Sequence, residues 1–417
     1  MSRFLQIHTL TPYSGVLLNR NDSGFAKSLP FGNAVRMRVS SQCLKYHWRE
    51  YDGEHAIRKV GEMSIRSRHT FRIKVAKPLA EDDDLPTPLA AAAAEFFSEY
   101  ISSGDRLSSS ALEKIITAED PLDEIHSDDN GQPKQLIVLG RAEIRALQKF
   151  SREAVEEAQS AYPEDPAAAA TLITDALAGR SNDLRDNLNG MRNAMGIDAA
   201  MHGRMVTSDA LAQGDGAVHV AHAITTHAKQ QRDDYFTAAD DLQSSNGSSS
   251  NGASAHLNTK ELTSGLLYGY VVVDVPLLVS NLEGVPREDW KDADVSLTQE
   301  IIRRFIHTIA KVSPAAKQSS TAPYSRAEFL MVESGREQPR QLSGAFKEAV
   351  PLDGNITRKS INRLTGYLDR VDGMYEPHED RLCGSVVDAE LPAPQQSISG
   401  IADWASQCIE PTKKVPA

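Results

Sequence analysis

Three features of the sequence predict an α+β protein built on a ferredoxin-like sheet that carries two insertions. Short β-rich segments recur at 3–10, 34–40, 217–227, 265–275 and 329–333. Between the second and third lies an alanine-rich, charged stretch from about 78 to 195 whose apolar spacing is helical. A polar excursion separates the third from the fourth, and its tip, 244–254, is a Ser/Asn/Gly run with linker character. Strands separated by helices in this order fit one sheet with inserted segments.

Taken in order, residues 3–10 read as a first strand, followed by a loop at 12–32 too rich in Gly, Asn, Asp and Ser for regular structure. Residues 34–40 alternate strictly and 41–51 are helical. Within the insertion, 88–101, 142–162 and 167–178 read as helices, and the acidic runs between them as solvated turns. The apolar run 266–279 contains Asp274 and Pro276 and reads as a buried strand. A helix at 296–312 carries Ile301, Phe305, Ile309 and Val312 on one stripe. A strand near 329–333 and a helix near 357–372 follow, and the Pro- and Ser-containing tail after Leu382 is expected to be only partly ordered.

Composition restricts the function classes. No segment approaches the roughly 20 apolar residues of a membrane helix, and the start of the chain lacks a signal-peptide layout. Cys43, Cys383 and Cys408 have no metal-site or redox-motif spacing, which points to free thiols and a cytoplasmic setting. The net charge is −12, but its distribution is uneven. Residues 1–80 hold 14 Lys and Arg against 5 Asp and Glu, a net of +9, and the remainder carries −21. A basic region, not overall charge, is what binds phosphate over a short Debye length.

The basic region resolves into one corner. In the alternating segment 34–40, Val35, Met37 and Val39 share one strand face, and Arg36, Arg38 and Ser40 share the other. Two guanidiniums and a hydroxyl in a row suit successive phosphates. Ser40 or Ser41 can cap the next helix, which places Gln42, Lys45 and Arg49 on one face and Leu44, Trp48 and Tyr51 on another. The helix start adds unpaired N–H groups and a positive dipole end, which favour anions. A solvated edge strand with a capped helix would give the same pattern.

These residues also carry a family resemblance. The stretch 4–49, with Leu18-Asn19-Arg20, Lys27, Phe31-Gly32 and the run from Arg38 to Lys45, resembles the N-terminus of the CasC family, the backbone subunits of type I-E CRISPR Cascade. Further blocks follow in family order: Gly203-Arg204-Met205, the run 221–227, the run 234–243, and Ala255-His256-Leu257. The C-terminal third and the helical insertion resemble the family only in layout.

The resemblance implies a hand: a modified RRM-like palm (1–75, 196–226 and 266–382), helical fingers (76–195), a hairpin-like thumb (227–265) and a tail (383–417). It implies a non-catalytic, cofactor-free subunit of antiviral defence that stacks in several copies along guide crRNA. The protein would hold the RNA backbone while base pairing reads the target DNA strand. Arg20, Lys27, Arg38, Ser40, Gln42 and Lys45 would contact the guide, with Arg36 and Arg49 added by the face reading. Arg204 and Met205 form a turn in which Met205 could wedge against a splayed base. Phe236 and Leu257 would meet the heteroduplex, the thumbs displacing bases at intervals. Partners implied are further copies of the chain, the large, small, cap and crRNA-processing subunits and, indirectly, a nuclease–helicase.

Two enzyme readings compete. His219, His222 and His227 invite a metal, but in a strand His222 faces away from the other two, which stand about 26 Å apart. Asp22 is the candidate for an RNA-cleaving backbone subunit of a related CRISPR complex, although a lone loop carboxylate lacks a partner acid or base. A generic single-stranded RNA-binding protein would explain the basic corner but not the ordered thumb motifs.

Overall fold

The computed structural model describes residues 3–82, 84–126, 135–189, 194–204, 214–239, 254–314 and 321–409. In chain order the strands are β1 (Phe4–Val16), β2 (Ser28–Phe31), β3 (Ala34–Val39), β4 (Ile65–Ser67), β5 (Ile137–Leu139), β6 (Val218–Val220), β7 (Ala223–Thr225), β8 (Gln230–Ala239), β9 (Ser254–Asp274), β10 (Phe329–Gly335) and β11 (Asp380–Ser385). The helices are α1 (Ser41–Glu50), α2 (Lys77–Ala80), α3 (Thr87–Ser103), α4 (Ser109–Ile116), α5 (Arg141–Ala158), α6 (Pro166–Asn189), α7 (Ile197–His202), α8 (Val275–Glu283), α9 (Ser296–Lys311), α10 (Ile356–Tyr375) and α11 (Ile398–Gln407). The chain forms two compact units, a sheet unit of Met1–Ile57, His219–Val273 and Gln299–Ala417, and a helical unit of Arg58–Val218 and Asp274–Thr298. The helical unit therefore begins earlier than the expected fingers, ends later, and takes in α8.

The main sheet runs β11-β10-β1-β9-β7-β3-β2, with β8 paired to β9. Both of its faces are covered. Phe4, Leu10, Tyr268, Phe329 and Met331 pack with Phe346 and with Ile361, Leu364 and Leu368 of α10. Trp48 of α1 meets Phe305 of α9 edge-on, ring centroids 5.4 Å apart. Of the predicted stripe, Ile301, Phe305 and Ile309 lie on α9 and are buried, while Val312 falls just past its end and is half-buried.

Several predicted boundaries shift for identifiable reasons. β1 continues to Val16 and β2 forms inside the expected loop, because β2 finds a partner in β3 through the pairs Ser28↔Met37 to Phe31↔Ala34. The turn between them is held by Gly32 (φ +62°), where an added Cβ would stand 1.6 Å from the Lys347 carbonyl oxygen, so only glycine fits. The apolar run 266–279 is not one strand: Asp274 caps α8 by accepting from Leu277 N–H at 3.1 Å, and Pro276 occupies its first turn. The described part of the tail after Leu382, through Ile409, carries regular structure. β11 pairs with β10, and α11 buries Ile401, Ala402 and Ala405.

In the helical unit, α3 is apolar nearly all round, with Ala90 to Ala94, Phe96 and Phe97 all enclosed. Such a helix belongs in the middle of a bundle, and Leu112, Leu147, Val155 and Ile173 from α4, α5 and α6 pack in the same core. No helix among the described residues is long and apolar enough to cross a membrane.

Candidate nucleic-acid interface

The corner begins where β1 ends. Val16 and Leu18 pack with Met37, Val39 and Ala223, and this apolar anchor fixes the start of the following loop. The loop then closes on itself: Asn21 N–H donates to Phe25 O at 2.8 Å and Lys27 N–H to Asn19 O at 2.8 Å. Arg20 bridges to Ala26 across this turn and is exposed. Arg38 N–H donates to Lys27 O at 2.8 Å, which extends the β2–β3 register by one pair and sets Lys27 opposite Arg38. Both side chains are half-buried. Arg38 Nε is enclosed and has no hydrogen-bond partner among the described residues.

Helix α1 starts at Ser40, whose hydroxyl accepts from Cys43 N–H at 3.3 Å and whose own N–H donates to Asn19 Oδ1 at 2.9 Å. Ser41 N–H donates to His222 Nδ1 at 3.0 Å. The predicted cap is thus present. The expectation of unpaired helix N–H groups needs correction, since Ser41 and Cys43 already donate to side chains. Ser40 is itself buried. Gln42 is exposed, Lys45 and Arg49 are half-buried, and Arg49 pairs with Glu50 at 2.6 Å.

Arg36 is a second correction. Its side chain is fully buried, whereas Val35, assigned to the packing face, is 51% exposed. Arg36 donates through Nε to Phe31 O (3.3 Å), Nη1 to Thr225 O (3.3 Å) and Nη2 to Phe346 O (2.7 Å). Local alternation does not show what covers Arg36. The segment around 342–350 lies over Arg36, anchored by Asn33 N–H to Lys347 O and Ala349 N–H to Asn33 Oδ1.

Arg204 is a third correction. It belongs to the helical unit, buried in an ion pair with Glu143 at 2.6 Å, both side chains 1% exposed. Its backbone N–H donates to Gly214 O at 3.0 Å, and its side-chain charge is held by Glu143 instead of being presented. Met205 lies outside the described residues. Phe236 and Leu257 fall on the β8–β9 ribbon, in the register pairs Phe236↔Asn258 and Thr237↔Leu257, as the hairpin reading expected; their side chains are not among those described. The ribbon has a register shift at Ala238/Ala239, and the linker-like tip also lies outside the described residues.

Of the three histidines, His227 is buried, with Nδ1 on Ala228 O at 2.8 Å and Nε2 accepting from Leu266 N–H at 3.2 Å. Among the described residues no three His, Cys, Asp or Glu side chains are grouped to hold a metal. Asp22 is exposed in the loop turn. Two residues of the corner were absent from the predicted set: Asn19, which ties the loop to the helix start, and His222. Both were visible as polar residues inside recognisable blocks, but their roles depend on contacts across strands that local patterning does not show.

The fold and corner define a class: an α+β sheet protein whose edge presents side-chain cations, with a long two-stranded ribbon growing from the same sheet. The family model of CT1975-like proteins, a Cas family, matches residues 5–406, and the chain belongs to that family. No curated protein matches its sequence. The fold is shared with a chain of a solved structure described as a CRISPR RNA-guided surveillance complex, pre-nicking, at TM-score 0.72 and 22% identity over 97% of this chain and 100% of the other. A second, a CRISPR RNA-guided surveillance complex, aligns at TM-score 0.64 and 20% identity over 97% and 99%.

Proposed function

We propose that this chain is a crRNA-binding backbone subunit of a Cascade-type CRISPR surveillance complex, of type I-E as the CasC-like motifs indicate. The observation that carries the reading is the Lys27–Arg38 pair at the sheet edge inside a Cas-family fold, with an arginine N–H that is enclosed and has no partner among the described residues. Cations on a rigid edge grip phosphate without reading bases. Arg20, Lys27, Arg38, Gln42 and Lys45 hold the guide backbone, and several copies stack along it. The β8–β9 ribbon serves as the thumb that interrupts pairing with the target DNA strand. The large, small, cap and crRNA-processing subunits complete the complex. The subunit works without a cofactor and without cutting RNA.

Purifying the chain together with its genomic neighbours tests this. A multi-copy assembly containing RNA of uniform length is the expected outcome, and a lone RNA-free monomer would overturn it. Target RNA incubated with divalent metal should stay intact in the presence of both the natural chain and Asp22→Ala. Cutting by the first alone would favour the nuclease reading.

A further inference from the structure

His222 occupies a place in the corner that the motifs did not assign. The β3–β7 pairs Arg38↔Ile224 and Val39↔Ala223 run on to set His222 opposite Ser40, on the strand face that Arg38 shares. Lys27 flanks Arg38 from the other side. Lys27, Arg38 and His222 thus stand in a row across three neighbouring segments.

The ring's protonation state follows from its contact. Nδ1 accepts the Ser41 N–H, so in the neutral imidazole the proton sits on Nε2. Partial desolvation of the ring first, then the positive charges of Arg38 and Lys27, hold the His222 pKa below its ordinary value, which keeps this form dominant at neutral pH. The residue is exposed, and among the described residues Nε2 has no partner. Two N–H donors, His222 Nε2 and Arg38 Nε, therefore lack partners within one small patch.

We propose that His222 is a further guide-backbone contact, donating its Nε2–H to the phosphate held by Lys27 and Arg38 while Nδ1 stays locked to the start of α1. The assignment rests on the RNA-binding reading above. It has a distinctive signature. A neutral donor adds a hydrogen bond to phosphate but displaces no counterion, so it changes affinity without changing the salt slope.

The test compares single-stranded RNA binding by the full chain, His222→Asn and His222→Gln across a salt series, with a melting curve for each. Asn supplies an acceptor where Nδ1 stood and no donor where Nε2 stood; Gln does the reverse. His222→Asn should melt like the natural chain and bind RNA about three- to tenfold more weakly at unchanged salt slope. His222→Gln should recover most of the binding even with a lower melting temperature. Natural affinity in His222→Asn would reduce His222 to a helix cap and overturn the proposal. If the natural chain binds no RNA at any salt, the RNA-binding reading itself falls, and the two failures are told apart.

Discussion

Burying a guanidinium without a carboxylate is costly unless its N–H groups find acceptors. Arg36 meets that condition with three carbonyls, from Phe31, Thr225 and Phe346. Those carbonyls belong to β2, the end of β7 and the covering segment, so one side chain joins three pieces of backbone. Arg38, two residues on, meets the opposite situation: half-buried, with no partner for Nε among the described residues. The two arginines should separate experimentally. Arg36→Ala leaves enclosed carbonyls unpaired and should cost about 3 kcal/mol in chemical denaturation, while RNA affinity of the folded protein stays within roughly twofold. Arg38→Ala should keep its melting temperature and lose about tenfold in RNA affinity, as expected for one charge-assisted contact. Equal defects in both variants would place them in a single role.

At the scale of elements, a buried polar cluster joins β1, β9, β10 and β11. His8 of β1 contacts Tyr268 Oη at 2.9 Å and Glu333 Oε2 at 3.0 Å. Arg381 of β11 reaches Glu333 Oε1 at 2.5 Å, Arg340 reaches the same oxygen at 3.2 Å, and Arg340 also pairs with Glu379. Burial opposes ionisation of Glu333, but the His8 hydrogen bond and charge, with Arg340 and Arg381, outweigh it and hold the group at about 2, against an ordinary 4.5. Glu379 moves the other way, raised by burial and by the charge of Glu333. The sign for Glu333 is that of a depressed carboxylate: its contribution is complete above about pH 4.5 and is lost as pH falls toward about 2. The linkage is on the order of 3 kcal/mol. Denaturation midpoints of the natural chain should therefore fall more steeply over that window than those of Glu333→Gln, which starts lower and runs flatter; parallel curves would remove Glu333 from the acid response. Little of this cluster is legible in the sequence. Gln6 and His8 stand among Phe4, Leu5, Ile7 and Leu10 of β1, but their partners lie about 260 to 370 residues away. The same distance dependence hid β11, which is a strand because β10 has an open edge beside it. Self-contained elements such as α3, α5 and α9 were readable from spacing alone.

For the whole molecule, the division of charge takes a definite form. The +9 of residues 1–80 and the −21 of the rest do not translate into a uniform basic surface. Of the predicted cationic contacts, Arg36 and Arg204 are spent internally, one on carbonyls and one on Glu143. The proposed grip rests on Arg20, Lys27, Arg38 and Lys45 along one loop, one strand edge and one helix, with Arg49 sharing its charge with Glu50. The acidic remainder disfavours nucleic acid elsewhere, so affinity should depend on this short row and fall steeply with salt. Four phosphate contacts to a single strand give a slope of log K against log salt of roughly −3. Neutralising any one of the four, for example Lys27→Gln or Arg20→Gln, should make the slope shallower by about 0.7. Arg204→Met should leave it unchanged even if stability drops, because the lost charge never faced solvent. The slopes of RNA binding measured for these variants at constant pH decide the matter: a full-sized change on removing Arg204, or none on removing Lys27, would mean that the phosphate path runs over the helical unit and not along the sheet edge.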